Sequence, residues 1–273
     1  MTNLFDIRGK VVVITGGAGV LGKHMAVRLA ELGAKVAVGH YDAPRAQAVC
    51  DEIRLAGGTA APVVLNVLDK AQAEQALAGV VETLGPVDVL INGAGGNKKE
   101  ATCVPPQSEF FDIPTDAFRA VFDLNCIGTL IPSQVFGRHM AQRGRGVIIN
   151  VSSMNAFRPL TRIAAYSAAK AAISNFTQWL ATYMCQNHTA DIRVNAIAPG
   201  FFLTRQNRFL LVDEKTGQPT PRGQQILAHT PMARYGEPDE LMGTLVWLIS
   251  DASKFVTGIV VPVDGGFSAF SGV

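Results

Sequence analysis

The sequence has little charge and almost no excess of one sign. Of its 273 residues 17% are charged, and 24 basic against 22 acidic residues leave a formal net charge of +2. This balance gives no support for a nucleic-acid or other polyanionic partner. Because 48% of the residues are hydrophobic, the composition excludes an intrinsically disordered chain and is sufficient for a large buried core.

Metal-binding, membrane-spanning and secretion patterns are also missing. The cysteines form no CxxC pair and no cluster with histidine, so no metal site is expected. No uncharged apolar run reaches about 18 residues, which predicts no membrane span. The stretch MTNLFDIRGK has no signal-peptide apolar core, and the expected setting is a reducing, cytoplasmic one. The four cysteines are Cys50, Cys103, Cys126 and Cys185.

Short apolar runs alternate with longer helical stretches along the whole chain. Near-continuous apolar runs are typical of parallel strands that are buried on both faces. The alternation predicts right-handed βαβ units in a doubly wound α/β sheet. The seven runs begin at Val11, Val36, Pro62, Val87, Gly146, Ile192 and Ile259. The helical stretches are 20–33, 43–56, 69–84, 115–142, 164–187 and 237–250.

No linker divides the chain, so residues 1–273 are predicted to form one domain. Two stretches, 95–114 and 202–236, interrupt the alternation. Both follow predicted strands on the carboxyl side, where doubly wound sheets bind their ligands. They are therefore the predicted substrate loops.

A glycine-rich loop follows the first predicted strand. Gly17, Gly19 and Gly22 have G-x-G-x-x-G spacing and lie directly before a predicted helix. The backbone amides at such a helix start favour phosphate, and this strand–loop–helix context is the one a dinucleotide site requires. The alternative interpretation is a structural tight turn.

The end of the second predicted strand bears on the choice between NAD and NADP. An acidic residue about 20 residues beyond the glycines would bind the adenosine ribose and select NAD. Asp42 is the acid in this region, although His40 occupies the better-matched position. Arg45 is the nearest candidate partner for a 2′-phosphate, but its position also suits a solvated residue of the next helix. The residues favour NAD and leave NADP open.

Ser153, Tyr166 and Lys170 form the candidate catalytic group, with spacings of thirteen and four residues. Tyr166 and Lys170 are one helical turn apart on the same face. A free tyrosine has a pKa of about 10 and is a poor base at neutral pH. The lysine ammonium is expected to lower that pKa, so that Tyr166 exchanges a proton with a substrate oxygen. The alternative is a solvent-facing Tyr–Lys pair.

With these motifs the sequence resembles the short-chain dehydrogenase/reductase family over essentially its whole length. The resemblance implies a seven-stranded Rossmann fold that binds NAD(P), and most often a homotetramer. Further matching segments are Asn92–Gly95, Asn125, Asn195–Gly200 with Thr204, and Val263–Gly266.

The resemblance also implies roles for individual residues. Tyr166 would be the acid/base, and Ser153 would orient the substrate oxygen. Lys170 would bind the nicotinamide ribose, and Asn125 would hold a water in a proton relay. Besides Tyr166 and Lys170, the implied cofactor-binding residues are Gly16, Gly19, Leu21, Gly22, His40, Asp42, Asn66, Val67, Asn92, Ala94, Gly95, Pro199, Gly200, Phe202 and Thr204.

Four positions depart from the family pattern. Val20 replaces the middle glycine of the T-G-x-x-x-G-x-G loop, where a side chain can alter the approach of the pyrophosphate. Gly93 replaces a common asparagine, and His40 stands where an acid or a base is usual. Asn66 replaces an aspartate beside the adenine, where its amide can still form a hydrogen bond.

The polar residues around the predicted pocket suggest an anionic substrate. Arginine pairs bidentately with carboxylate, whereas a sterol or acyl pocket would be mostly apolar. The segments 93–97, 152–157 and 198–211 are most similar to the D-mannonate oxidoreductases of this family, also called fructuronate reductases. The candidate substrate contacts are Asn97, Asn155, Arg158, Gln206, Asn207 and Arg208. These cations can also be solvated loop residues.

Other sugar-acid enzymes remain open, namely gluconate 5-dehydrogenase-like and 2-keto-3-deoxygluconate dehydrogenase-like proteins. A non-catalytic dinucleotide sensor on the same fold is a further alternative. It would be favoured by an incomplete catalytic set, but all four residue types are present at the spacing the family uses.

Overall fold

A parallel sheet of seven strands runs through the computed structural model, which describes residues 3–204, 208–214 and 216–272. The strand order is β3-β2-β1-β4-β5-β6-β7. This is the doubly wound arrangement predicted from the apolar runs. The strands are β1 Val11–Thr15, β2 Lys35–His40, β3 Thr59–Val64, β4 Val89–Asn92, β5 Gly146–Val151, β6 Ile192–Pro199 and β7 Val260–Val263.

Helices cover both faces of this sheet and connect successive strands. Those of the described residues are α1 Val20–Glu31, α2 Ala43–Leu55, α3 Lys70–Thr83, α4 Thr115–Asn125, α5 Ile127–Arg143, α6 Ala164–Asn187, α7 Arg208–Leu211, α8 Pro221–His229 and α9 Met242–Ile249. A 3₁₀ turn at Pro238–Leu241 leads into α9. The first five predicted helical stretches are helical at nearly the expected positions.

The stretch predicted as one helix over 115–142 is divided at Cys126 into α4 and α5. The Thr129 N–H bonds to the carbonyl of Cys126, at 3.1 Å. The Asn125 carbonyl instead accepts a hydrogen bond from the Thr129 hydroxyl, at 2.8 Å. The regular series of backbone hydrogen bonds of an α-helix is therefore interrupted at Asn125, whose carbonyl binds a side chain in place of a backbone N–H.

The apolar strands contribute to two separate cores, one on each face of the sheet. Val12 and Ile14 of β1 belong to one core, and Val11 and Val13 belong to the other. Successive strand side chains point to opposite faces, so a run of β-branched residues fills both cores. This explains why these strands read as continuous rather than alternating apolar segments.

The strand order reverses between β1 and β4, which lie side by side in the sheet. In open α/β sheets, ligands bind in the crevice beyond the carboxyl ends of the strands at such a reversal. The two predicted loops follow β4 and β6 at this edge. The loop after β4 contains two short 3₁₀ turns, and the loop after β6 contains α7 and α8. The sequence pattern predicted none of these elements.

Within the described residues, no helix is long and apolar enough to cross a membrane.

Candidate active site

A cleft of about 440 Å³ opens at the carboxyl edge of the sheet. No aspartate or glutamate is among the residues described as lining it, which suits a ligand with several phosphates. Most of the residues predicted to bind the cofactor meet in this cleft. They are Gly16, Gly19, Leu21, Gly22, His40, Asn66, Val67, Ala94, Gly95, Tyr166, Lys170, Gly200, Phe202 and Thr204.

The glycine loop brings the start of α1 close to the cleft. Gly19 is the N-cap of α1, and no side-chain hydrogen bond caps this helix end. Gly16 has a φ of +67°, and a Cβ on Gly22 would overlap the Gly16 carbonyl. Both glycines are therefore required by geometry. Val20 is the first residue of α1 and also lines the cleft, so its side chain lies at the helix start facing the ligand space.

At the end of β2, His40 lines the cleft and Asp42 does not. The Asp42 carboxylate accepts a hydrogen bond from the Arg45 N–H at 3.1 Å and caps α2. Asp42 thus caps its own helix and lies outside the residues that line the cleft, and its contact with the cofactor stays a prediction. The Arg45 guanidinium donates to the Ala18 carbonyl in the glycine loop at 3.0 Å.

His40 has a defined ring orientation. In the neutral ring, Nδ1 either accepts a hydrogen bond from the Asp42 N–H at 3.0 Å or donates one to the Asp42 carbonyl at 3.3 Å. Burial lowers the pKa of His40 and thereby favours this neutral form. Tyr41 stacks on the ring with centroids 4.5 Å apart and also lines the cleft.

Two further residues that were predicted to bind the cofactor, Asn92 and Pro199, are buried and do not line the cleft. Asn92 is buried, and its amide nitrogen donates to Ser133 and Asn150, both at 2.9 Å. Pro199 is the last residue of β6, is buried and does not line the cleft. Asn92 joins β4 to β5 and α5, so its position supports the floor of the site.

Ser153, Tyr166 and Lys170 lie together beside the cleft. Ser153 follows β5, and its hydroxyl hydrogen-bonds to that of Tyr166. The Lys170 ammonium is 5.4 Å from the centre of the Tyr166 ring. It donates to the Val151 carbonyl at 2.7 Å. The three side chains predicted from spacing alone are therefore neighbours in space.

Burial dominates the titration of this group. It lowers the pKa of Lys170 to about 8. It raises the pKa of Tyr166, and the hydrogen bond from Ser153 only partly opposes this effect. The expected lowering of the Tyr166 pKa is thus not found, because the loss of water around the phenol raises this pKa instead.

Asn125 connects α4 to the loop after β4. Its amide nitrogen donates to the carbonyls of Gly96 at 2.7 Å and Val121 at 2.8 Å. Its amide oxygen accepts from the Gly96 N–H at 3.2 Å. Asn125 is fully buried, so this pair of hydrogen bonds to Gly96 fixes the start of the 95–114 loop.

The predicted substrate contacts separate into different environments. Asn97 is exposed and donates to the Thr102 hydroxyl, while Arg158 is exposed and donates to the Phe157 carbonyl. Arg208 is exposed at the start of α7. Asn155 is buried directly after Ser153, and its amide oxygen has no hydrogen-bond partner among the described residues. Gln206 and Asn207 lie outside the described residues.

Residues 10–215 match the family profile of the short-chain dehydrogenases. The protein belongs to this family. Family membership makes it an NAD(P)-dependent oxidoreductase and agrees with the fold, the cleft and the Ser–Tyr–Lys group.

Two relatives within the family match this chain over nearly their whole lengths. An uncharacterized oxidoreductase of Bacillus subtilis, UxuB, is 49% identical over 276 residues and covers 98% of both chains. The 5-keto-D-gluconate 5-reductase of Escherichia coli is 33% identical over 266 residues, covering 97% of this chain and 98% of that protein.

Solved structures of short-chain dehydrogenases superpose closely on this fold. One from Haemophilus influenza, provisionally named a D-mannonate oxidoreductase and containing bound NAD, has a TM-score of 0.91, 46% identity and 98% coverage of both chains. A gluconate 5-dehydrogenase from Burkholderia cenocepacia, in complex with NADP and tartrate, has a TM-score of 0.84, 30% identity and 98% coverage of both chains.

Several residues of this short-chain dehydrogenase cleft were not predicted. Tyr41, Leu124, Val151 and Phe201 line it. Tyr41 directly follows β2, Val151 ends β5, Phe201 lies two residues after β6, and Leu124 precedes Asn125. Position relative to the predicted strand ends was therefore a signal that could have identified them.

Proposed function

We propose that this short-chain dehydrogenase interconverts D-mannonate and D-fructuronate by hydride transfer at a secondary alcohol. The proposal rests on the grouping of Ser153, Tyr166 and Lys170 beside the cleft that the glycine loop borders. The similarity to the Haemophilus protein named for this activity supports the choice of substrate.

The residues present fit a dinucleotide. The uncapped start of α1 offers backbone N–H groups to phosphate. His40 and Asn66 would lie beside the adenosine, while Lys170, Gly200 and Thr204 would hold the nicotinamide end. When bound, NAD(P) supplies or accepts the hydride.

Tyr166 would donate the proton to the ketone oxygen during reduction and remove it from the alcohol during oxidation. The Ser153 hydroxyl would hydrogen-bond to the same oxygen and hold it beside the phenol. Burial keeps Tyr166 protonated at neutral pH, which makes it ready to act as the acid of the reductive direction.

Lys170 would place its charge beside the Tyr166 phenolate as that anion forms. Asn125 would hold the water of a proton relay, as the family resemblance implies, while its bonds to Gly96 keep the relay next to the substrate loop. Asn155 would offer its unpartnered amide oxygen to a substrate hydroxyl, since a buried acceptor without a partner is costly.

A second candidate function is reduction of 5-keto-D-gluconate, which the Escherichia coli relative supports by its name. A 2-keto-3-deoxygluconate dehydrogenase activity belongs to the same class. All these substrates are small sugar acids. A homotetramer in a reducing, cytoplasmic setting remains part of the proposal.

The test is oxidation of NADH and of NADPH in the presence of D-fructuronate, 5-keto-D-gluconate or D-fructose. We expect turnover with D-fructuronate and much slower turnover with D-fructose, which has CH₂OH in place of the carboxylate. Preference for 5-keto-D-gluconate would transfer the proposal to the second candidate. Absence of turnover with every ketone in a broad panel would contradict the catalytic assignment and favour the dinucleotide sensor.

A further inference from the structure

The carboxyl end of β5 contacts the catalytic helix α6 through three consecutive residues. The Val151 carbonyl accepts a hydrogen bond from the Lys170 ammonium at 2.7 Å. The Ser152 hydroxyl donates to the backbone carbonyl of Lys170 at 3.2 Å. The Ser153 hydroxyl hydrogen-bonds to that of Tyr166. Both the side chain and the backbone of Lys170 are therefore bound to this end of the strand.

Ser174 extends the contact that Ser152 makes with Lys170. It lies four residues after Lys170 in α6, and its hydroxyl oxygen is 2.8 Å from that of Ser152. A carbonyl can only accept, so the one hydroxyl hydrogen of Ser152 is used for the Lys170 carbonyl. Ser174 therefore supplies the hydrogen of the 2.8 Å bond. The two hydrogen bonds form a directed chain from Ser174 through Ser152 to Lys170.

This hydroxyl chain is shielded from water and anchored in the sheet. Ser152 is 2% exposed and Ser174 is half-buried. The backbone N–H of Ser152 donates to the Ile197 carbonyl of β6 at 2.8 Å. Neither serine is among the described residues that line the cleft. Their contact with the site is therefore made through Lys170 rather than through a ligand.

The position of the Lys170 ammonium depends on neutral partners. In the described part of the chain no carboxylate forms an ion pair with it. Its centre lies 5.4 Å from that of the Tyr166 ring. A displacement of about 1 Å in a reacting group can cost about 100-fold in rate. Hydrogen bonds that fix the backbone of Lys170 thus bear directly on the reaction.

We propose that Ser152 and Ser174 are positioning residues for the reaction. Their hydroxyl chain holds the Lys170 turn of α6 against the end of β5 and so keeps the ammonium beside the Tyr166 phenol. This inference rests on the proposed function insofar as it takes Tyr166 and Lys170 to serve the proton transfer. Sequence spacing does not reveal the chain, because 22 positions separate the two serines.

The first test removes each hydroxyl, with Ser152→Ala and Ser174→Ala. We expect kcat with NADH and the preferred keto acid to fall roughly 5- to 10-fold, as for loss of one buried hydrogen bond. NADH affinity should stay within about twofold of wild type. Because both hydroxyls act on one carbonyl, the double variant should be no slower than Ser152→Ala.

A matched pair of variants separates the hydroxyl from the shape of the side chain. Ser174→Thr keeps the hydroxyl, whereas Ser174→Val has nearly the same shape without it. The half-buried position of Ser174 leaves room for the added methyl group. We expect Ser174→Thr to keep kcat within about twofold of wild type and Ser174→Val to lose as much as Ser174→Ala.

Thr177→Val is the structural control. The Thr177 hydroxyl of α6 accepts a hydrogen bond from the Asn150 amide of β5 at 2.9 Å. Its removal breaks a buried bond between the same strand and the same helix without touching Lys170. This variant should be less stable to urea and keep kcat within about twofold of wild type.

A spectroscopic measurement makes the test independent of the substrate. The full-length protein is labelled with ¹³C at the lysine Cε, and the Lys170 signal is assigned by its loss in Lys170→Met. The signal senses the nearby Tyr166 ring, so displacement of the ammonium should change its chemical shift. We expect a change in Ser152→Ala and none in Thr177→Val.

Three results would overturn the proposal. An unchanged kcat in Ser152→Ala would mean that its hydroxyl does not serve the reaction. Equal losses of kcat and NADH affinity, or a loss of kcat in Thr177→Val as large as in Ser152→Ala, would mean that the serines only support the fold. If no ketone is turned over, the proposed function fails by itself, and an unchanged Lys170 signal in Ser152→Ala then refutes the positioning role separately.

Discussion

Replacement of the buried Lys170 by methionine should stabilise the protein near neutral pH while impairing catalysis. Lys170 is 4% exposed, and burial lowers its pKa from 10.5 to about 8. At about 1.36 kcal/mol per pH unit, the buried ammonium costs the fold about 3 kcal/mol at pH 7. Removing it also leaves the Val151 carbonyl without its 2.7 Å hydrogen bond, a loss of about 1 kcal/mol or more.

The net effect of Lys170→Met is therefore a gain of about 1–2 kcal/mol in the free energy of unfolding at pH 7. Between pH 8 and 10.5 the unfolded chain binds more protons at Lys170 than the folded protein does. The wild type consequently gains stability relative to the variant as the pH rises through this window. The advantage of the variant should disappear by about pH 10.

Urea unfolding at pH 7 and pH 10, at one protein concentration, measures both effects. Lys254→Met is the control, because this lysine is 73% exposed in a surface ion pair with Asp251 and should change stability by less than about 1 kcal/mol. A Lys170→Met protein that is less stable at pH 7 by an amount independent of pH would refute the reasoning.

Three further substitutions test other parts of the site. Tyr166→Phe should lower kcat by roughly 10²- to 10⁴-fold with NADH affinity by fluorescence unchanged; substantial residual turnover would exclude Tyr166 as the acid/base. Arg45→Met should raise KM for NADPH about tenfold and leave KM for NADH unchanged, because its guanidinium lies at the glycine loop; an equal effect on both would contradict this role. Gly22→Ala should weaken NADH binding at least about tenfold, since its Cβ would overlap the Gly16 carbonyl. Gly79→Ala, with open space around it, should instead stabilise α3 by about 0.5–1 kcal/mol and keep normal NADH affinity.

The fold was predictable because its strands are buried on both faces. A run such as Val11–Ile14 has few alternatives to a central parallel strand, and the glycine loop after it marks the binding edge. The α8 helix was missed, although Thr220 before Pro221 is a recognisable N-cap signal. With only nine residues, this helix is too short to show a clear helical pattern of apolar residues among the surrounding loop residues.

The site was predictable where its geometry is local. Tyr166 and Lys170 are one turn apart, so their spacing was sufficient. The capping role of Asp42 was missed, although an acid before a helix-starting Ala–Pro pair is a recognisable capping residue. Contacts such as Asn125 with Gly96 depend on how distant segments pack, and sequence spacing alone does not specify them.

The small core formed by Leu211, Val212 and Ile226 is separate from the two cores of the sheet. The segment above the cleft thus has its own hydrophobic packing and can vary in sequence without repacking the strands. A graft of residues 202–236 from a relative should therefore leave Tyr166, Lys170 and the glycine loop in place. In evolutionary terms, this separation lets one of the two loops at the carboxyl edge change in sequence while the sheet that carries the catalytic group stays the same.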